Sequence, residues 1–128
     1  MSDKFTVEII SPDKSILNLE ANEVTIPAYE GQMGILKNHI PLITFLRPGI
    51  ILIKAQEEKK YYVEEGTVEF SNNNLLILTS TAKELSSLDK NSIADLLNQA
   101  EKKLINETAD KKRYLLSYKI DTLKEISQ

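Results

Sequence analysis

The chain changes character near Leu85, and that change constrains its fold more than any other feature. Before Leu85, short runs rich in Val, Ile, Phe and Thr are separated by turn residues. After it there is neither Gly nor Pro, and the apolar residues recur at helical spacing. Phe5, Val7 and Ile9 alternate with Thr6 and Glu8, the period of a half-buried strand. Ser11-Pro12-Asp13-Lys14 reads as a turn, and Ile16 to Leu19 as a second strand. A third strand runs from Glu23 to Ile26 and is expected to stop at Pro27. Tyr29 to Gly34, with two glycines, reads as a loop. Further strands are expected at Gly49 to Ala55, Tyr61 to Glu64, Thr67 to Phe70 and Leu75 to Thr79. A charged tip at Glu57 to Lys60 separates the first two of these, and the turn Asn72-Asn73-Asn74 the last two. Many short strands with regular turns imply an all-β, antiparallel sandwich or barrel over residues 1–85.

Residues 86–128 are expected to form an α-helical hairpin. Asp89 can cap the first helix by accepting from its free amides, with Leu88 and Ile93 at the two ends of a hydrophobic staple. Ile93, Leu96, Leu97, Ala100 and Leu104 then share one face. Asn106-Glu107 breaks the pattern, and Thr108 is expected to cap a second helix. Leu115, Leu116, Ile120, Leu123 and Ile126 form its broader stripe, into which Lys112 and Lys119 intrude. A single modest seam requires this hairpin to lean on the sandwich or on another protein.

Composition narrows the chemistry. The 128 residues carry a mixed charge with a formal net of −3, which gives no general electrostatic reason to bind nucleic acid. There is no cysteine, hence no disulfide, thiolate metal site or thiol nucleophile. No apolar run approaches the ~18 residues of a spanning helix. Met1 to Phe5 shows no apolar signal core or Arg-rich presequence, which suggests a bacterial cytosolic address without direct membrane insertion. The sole histidine, His39, stands before Ile40 and Pro41 with no second histidine or nucleophile elbow, and is read as ordering a loop. Glu64-Glu65 and Glu57-Glu58 are neighbours that point to opposite strand faces, so they are hairpin charges rather than an acid/base pair. The glycines at 31 and 34 lack the lysine and serine of a phosphate loop. Lys111, Lys112 and Arg113, with Lys119 and Lys124, make the second helix locally basic, either as a solvated face or as a dock for an acidic partner. An enzyme would need a buried pair of titratable groups. A small-ligand module would need a concave apolar pocket.

Phe5 to Asp13, Val24 to Pro27, Glu30-Gly31-Gln32-Met33-Gly34-Ile35-Leu36, His39-Ile40-Pro41-Leu42, Leu46 and Pro48-Gly49 together resemble the epsilon subunits of rotary, F-type ATP synthases. Gly66, Val68-Glu69 and the strand to Ala82 continue the match, and the helical tail has the right place and length. The resemblance implies an antiparallel β-sandwich followed by an α-helical hairpin, and a non-catalytic subunit of the rotor stalk, peripheral on the cytoplasmic side of the bacterial inner membrane. It implies a role in coupling proton or sodium flow to ATP synthesis. It implies that Tyr29, Glu30, Gly31 and Gln32 meet the c-subunit ring, and that His39, Ile40, Pro41 and Leu42 face the gamma shaft subunit. Ile40, Leu42, Ile43, Phe45 and Leu46 are expected to supply an exposed apolar patch there. It further implies that Lys111, Lys112, Arg113, Lys119 and Lys124 form a regulatory tail able to approach the alpha/beta catalytic head and obstruct hydrolysis. Some relatives bind ATP at the hairpin through Leu or Ile, Asp, two variable residues, Arg and Ala. Here Leu88-Asp89 is followed by Lys90-Asn91-Ser92-Ile93, so Asp89 stands without the arginine. A neutral hydroxyl at Ser92 cannot supply a cationic fork to phosphate, and no cofactor is expected.

Overall fold

A computed structural model describes residues 3–127 of the chain. Met1 and Ser2, part of the N-terminal segment read above as lacking a signal core, lie outside the described residues, as does Gln128. Ten strands come first: β1 (Phe5–Ile10), β2 (Ser15–Ala21), β3 (Glu23–Ala28), β4 (Gly31–Leu36), β5 (Leu42–Leu46), β6 (Gly49–Lys54), β7 (Glu58–Val63), β8 (Gly66–Ser71), β9 (Asn74–Leu78) and β10 (Lys83–Glu84). A single 3-10 turn (Leu85–Ser87) then leads into α1 (Lys90–Asn106) and α2 (Asp110–Ile126).

The strands hydrogen-bond in the order β10-β7-β6-β3-β5-β8-β9-β1-β2, with β4 on the other edge of β3. The link between β3 and β5 is the single pair Ala28 and Leu46, where the sheet folds over into two layers. Strand alternation fills the space between them. Phe5, Val7, Ile9, Val24, Ile26, Ile51, Ile53, Val68, Phe70, Leu75 and Ile77 are all buried in one cluster. Phe5 meets Phe70 edge to face at 5.7 Å.

Three expectations for the sheet are corrected. The sheet is mixed: β1 runs parallel to β9, from Thr6 opposite Asn74 to Ile10 opposite Leu78. Alternation is blind to strand direction. A parallel pair needs only a long connection, which the rest of the sandwich supplies here. Pro27 does not end β3, which continues to Ala28. The proline sits beyond the last β6 pair (Thr25 and Leu52) and before the β5 pair, so its missing N–H breaks no ladder bond on that side. Most of the expected Tyr29–Gly34 loop is strand. β4 pairs with β3 from Gly31 opposite Ala28 to Leu36 opposite Glu23. Only Tyr29 and Glu30 turn, and Gly31 takes a φ of 142° immediately after them.

The expected asparagine turn forms at Asn72 and Asn73, with φ values of 51° and 59° matching the twist of a tight hairpin, while Asn74 already belongs to β9. Gly49 is dictated by sterics, since a Cβ there would lie 2.5 Å from Cβ of Pro27. The hairpin differs at its turn. Ala109, not Thr108, occupies the cap position of α2, without a side-chain bond. The Glu107 carboxylate takes the free amides of Thr108 and Ala109 instead, at 3.1 and 3.2 Å.

Candidate functional site

The two outer faces of the sandwich are unequal. The outer face of the β3-β6-β7 layer is covered by the hairpin. Tyr62 of β7 is fully buried there with Ile93 of α1 and Leu123 of α2, and Leu88, Leu96, Leu97 and Ile126 surround them. Polar contacts ring this seam. The Tyr62 hydroxyl donates to Glu64 at 3.0 Å, and Lys119 Nζ stands 3.1 Å from the same carboxylate oxygen. Burial, together with the charge and hydrogen bond of Glu64, pushes the Tyr62 hydroxyl well above the ordinary phenol range.

The outer face of the β5-β8-β9 layer is open. Ile43 and Phe45 project from it with 77% and 59% of their surfaces exposed, and Leu78 lies 44% exposed across the sheet. Register brings them together, since Phe45 is opposite Thr67 and Thr67 is opposite Leu78. Ile40, 74% exposed, extends the apolar surface at one end. Of the expected patch residues, Leu42 and Leu46 instead turn inward, Leu46 into the core itself. Strand parity separates them from Ile43 and Phe45.

The segment from His39 to Leu42 is held in place by its surroundings. His39 Nδ1 donates to the Ile40 carbonyl at 2.7 Å, and its ring meets Phe70 edge-on at 5.8 Å. Asn38 N–H donates to the Asn73 side chain at 2.7 Å, and the Asn73 amide donates back at 3.1 Å. This histidine therefore orders a loop, as its sequence context implied. Pro41 is exposed beside it.

At the β3–β4 turn, Tyr29 N–H donates to the Phe45 carbonyl at 2.9 Å, and the Thr44 hydroxyl donates to Glu30 at 3.0 Å. Gln32 is exposed just beyond Gly31. The turn is thus bonded to the strand that carries the open apolar face. It also borders a groove of about 1140 Å³ running between Phe45, Leu78 and the start of α2 at Lys111 and Leu115.

The basic residues of α2 are not equivalent. Arg113 donates to the carbonyls of Leu104 and Glu107, both at 2.9 Å, and so closes the free C-terminal end of α1. Lys119 is paired with Glu64. Lys111, Lys112 and Lys124 are exposed. Asp89 accepts from the Ser92 amide at 2.7 Å as the cap of α1, and those backbone bonds hold its carboxyl below the usual carboxylate range. Ile93, in place of the alanine of the ATP motif, is buried in the seam with Tyr62.

Sequence reasoning missed the contacts that seat α2. Tyr114 stacks on Tyr29 at 5.8 Å and meets Tyr118 at 4.9 Å, while the Arg47 guanidinium lies 3.8 Å above the Tyr118 ring. The spacing of Tyr114 and Tyr118, four residues apart on one helical face, was the available signal. Among the described residues no group of three or more acidic or histidine side chains is gathered to hold a metal ion, and no helix is long and apolar enough to cross a membrane.

A mixed β-sandwich with one open apolar face and a helical hairpin clasped over the other defines a small docking protein. Residues 4–85 match the family model described as ATP synthase, delta/epsilon chain, beta-sandwich domain. The chain is 49% identical to the ATP synthase epsilon chain of Pelagibacter ubique (strain HTCC1062), covering 99% of this chain and all of the relative. It is 39% identical to that of Dichelobacter nodosus (strain VCS1703A), over 80% of this chain and 73% of the relative. Its fold is shared with a chain of the Euglena gracilis mitochondrial ATP synthase, solved in an assembly that includes the c-ring. The TM-score is 0.81 at 21% identity, over 100% of this chain and 84% of that one. The chain belongs to the ATP synthase epsilon chain family.

Proposed function

We propose that this chain is a central-stalk subunit that clamps the shaft subunit gamma to the c-ring of an F-type ATP synthase, peripheral on the cytoplasmic face of the bacterial inner membrane. The observation that carries the reading is the open apolar face of Ile43, Phe45 and Leu78, beside a sandwich whose other face is already covered. A surface of that kind marks an interface with a protein partner. Ile40 and Pro41, with His39 and Leu42 ordering them, extend this shaft-facing surface. Tyr29, Glu30, Gly31 and Gln32 form the ring-facing turn. The turn and the apolar face belong to one hydrogen-bonded unit, so load applied at one is carried to the other without a flexible joint.

The task is mechanical and the chain is non-catalytic. Residues 1–85 act as the rigid clamp and residues 86–128 as a regulatory appendage. Lys111, Lys112 and Lys124 face solvent in the seated hairpin, whereas Lys119 and Arg113 are engaged. Release of the hairpin frees Lys119 as well, giving a basic surface that suits acidic residues of the alpha/beta catalytic head.

The test is capture of the gamma subunit by the intact chain and by the double variant Ile43→Lys, Phe45→Lys. Loss of capture with an unchanged melting temperature is expected. Undiminished capture overturns the shaft assignment. Replacing Glu30 and Gln32 by alanine should weaken attachment to the ring in the assembled enzyme, and unchanged coupling removes them from that contact. Truncation after Leu88 should leave coupling intact and raise ATP hydrolysis.

A further inference from the structure

The hairpin is an element of low local stability. The main core cluster contains no residue of α1 or α2, and the seam holding the hairpin down has three buried members, Tyr62, Ile93 and Leu123, with Ala100 and Ile120 the other buried apolar residues of the two helices. Elements with so few buried apolar contacts open on their own while the rest of the fold stays closed.

Where α2 begins, its seat is built on Tyr29. The Tyr114 hydroxyl donates to the Tyr29 carbonyl at 3.1 Å and accepts from Arg47 Nη1 at 3.4 Å. The two tyrosine rings are stacked, with an interplanar angle of 22°. The hydroxyl of Tyr29 itself is buried and has no hydrogen-bond partner, the one such side-chain atom among the described residues. A phenol kept from water without a partner opposes the state that buries it.

We propose that Tyr29 and Tyr114 form a biased latch: the Tyr114 hydrogen bond and ring stack hold the hairpin on the β3–β4 turn, while the orphaned Tyr29 hydroxyl pushes toward release. Tyr29 and Glu30 are the turn, so hairpin seating and turn geometry are two readings of one equilibrium. A ligand that reshapes the turn must then shift the hairpin, and hairpin release must change the affinity of the turn for that ligand by the same factor. This regulatory consequence rests on the reading that the turn meets a partner; the latch itself does not.

Amide hydrogen exchange on the full-length chain tests it with two conservative substitutions. Tyr114→Phe keeps the ring and removes the hydrogen bond. It should speed exchange about five-fold both in α2 and at the Tyr29 amide, which is bonded to Phe45. Tyr29→Phe removes the orphaned hydroxyl and should slow exchange in α2 about five-fold. Amides of β1 and β9 should keep their wild-type rates in both variants and report an intact sandwich. Unchanged or faster exchange of α2 in Tyr29→Phe overturns the bias. Acceleration confined to α2 in Tyr114→Phe overturns the link to the turn. Either failure leaves the stalk reading standing, since that reading is decided by gamma capture.

Discussion

Leu123→Ala separates the two cores most cleanly. Leu123 is fully buried, but its neighbours Tyr62 and Ile93 belong to the hairpin seam and not to the sandwich interior. Removing a buried leucine side chain costs about 2–5 kcal/mol, depending on how far the site collapses. With partly buried residues around it, this site can relax, which puts the cost near 3 kcal/mol. That figure corresponds to roughly a 100-fold increase in hairpin opening. Amide exchange should therefore accelerate by about two orders of magnitude across α2. Amides of β1, β8 and β9 should be unaffected, and the main thermal transition should stay within a degree or two. The opposite result, a fall in the main transition in step with the loss of α2 protection, would show a single cooperative core and refute the division.

A pH titration probes the same seam, because burial and then Glu64 raise the Tyr62 hydroxyl above its unfolded value of about 10. Its contribution is complete below that value and is lost as pH rises further, so α2 should lose protection on the alkaline side; Tyr62→Phe should flatten that slope, and an unchanged slope refutes the assignment. Arg113→Ala removes the side-chain donor to the Glu107 carbonyl and one of two donors to that of Leu104, which still accepts from the Glu107 amide at 3.3 Å. Far-UV dichroism should report about 1 kcal/mol less helical stability, with no change in the sandwich melt. Gly49→Ala drives a methyl group into Pro27 and should lower the urea midpoint by the equivalent of about 1–3 kcal/mol, and a wild-type midpoint would show that the two strands separate freely.

The strand from Phe5 to Ile10 was legible because it alternates and ends at a turn, and the strands between Gly66 and Leu78 because β-prone runs, the last of them continuously apolar, flank the asparagine turn. β4 was not, because Gly31, Gln32 and Gly34 carry almost no β signal; that strand exists through its ladder with β3. The parallel β1–β9 pair is likewise a property of closure and not of either strand. At the candidate interface, the sequence showed that five apolar residues between Ile40 and Leu46 could not all face inward. Only the register with β8 decides that Ile43 and Phe45 face out and Leu46 faces in. The tyrosine seat was hidden for a different reason. Tyr114 and Tyr118 lie beside the leucine stripe of α2, and the partners that give them meaning, Tyr29 and Arg47, are some 70 or more residues away in the chain.

The lysine inside the apolar stripe of α2 explains why the hairpin is seated without being committed. A leucine at 119 would bury against β7 and add about 1.5–3 kcal/mol of apolar stabilisation. Lys119 instead forms a partly exposed ion pair with Glu64, and such pairs contribute roughly 0–1 kcal/mol and weaken with salt. The Tyr62 hydroxyl bonded to the same carboxylate prevents Glu64 from being replaced by an apolar residue without orphaning a buried donor. The seam is therefore specific in position yet shallow in depth, whereas the open face opposite offers Ile43 and Phe45 with no polar group between them on their own strand face. A partner that covers that face adds stability mainly to the sandwich, and meets the hairpin where Lys111 and Leu115 line the same groove as Phe45 and Leu78. Gamma binding should accordingly stabilise the β-domain, read as its melting temperature, more than it slows α2 exchange, and equal stabilisation of both would refute the division.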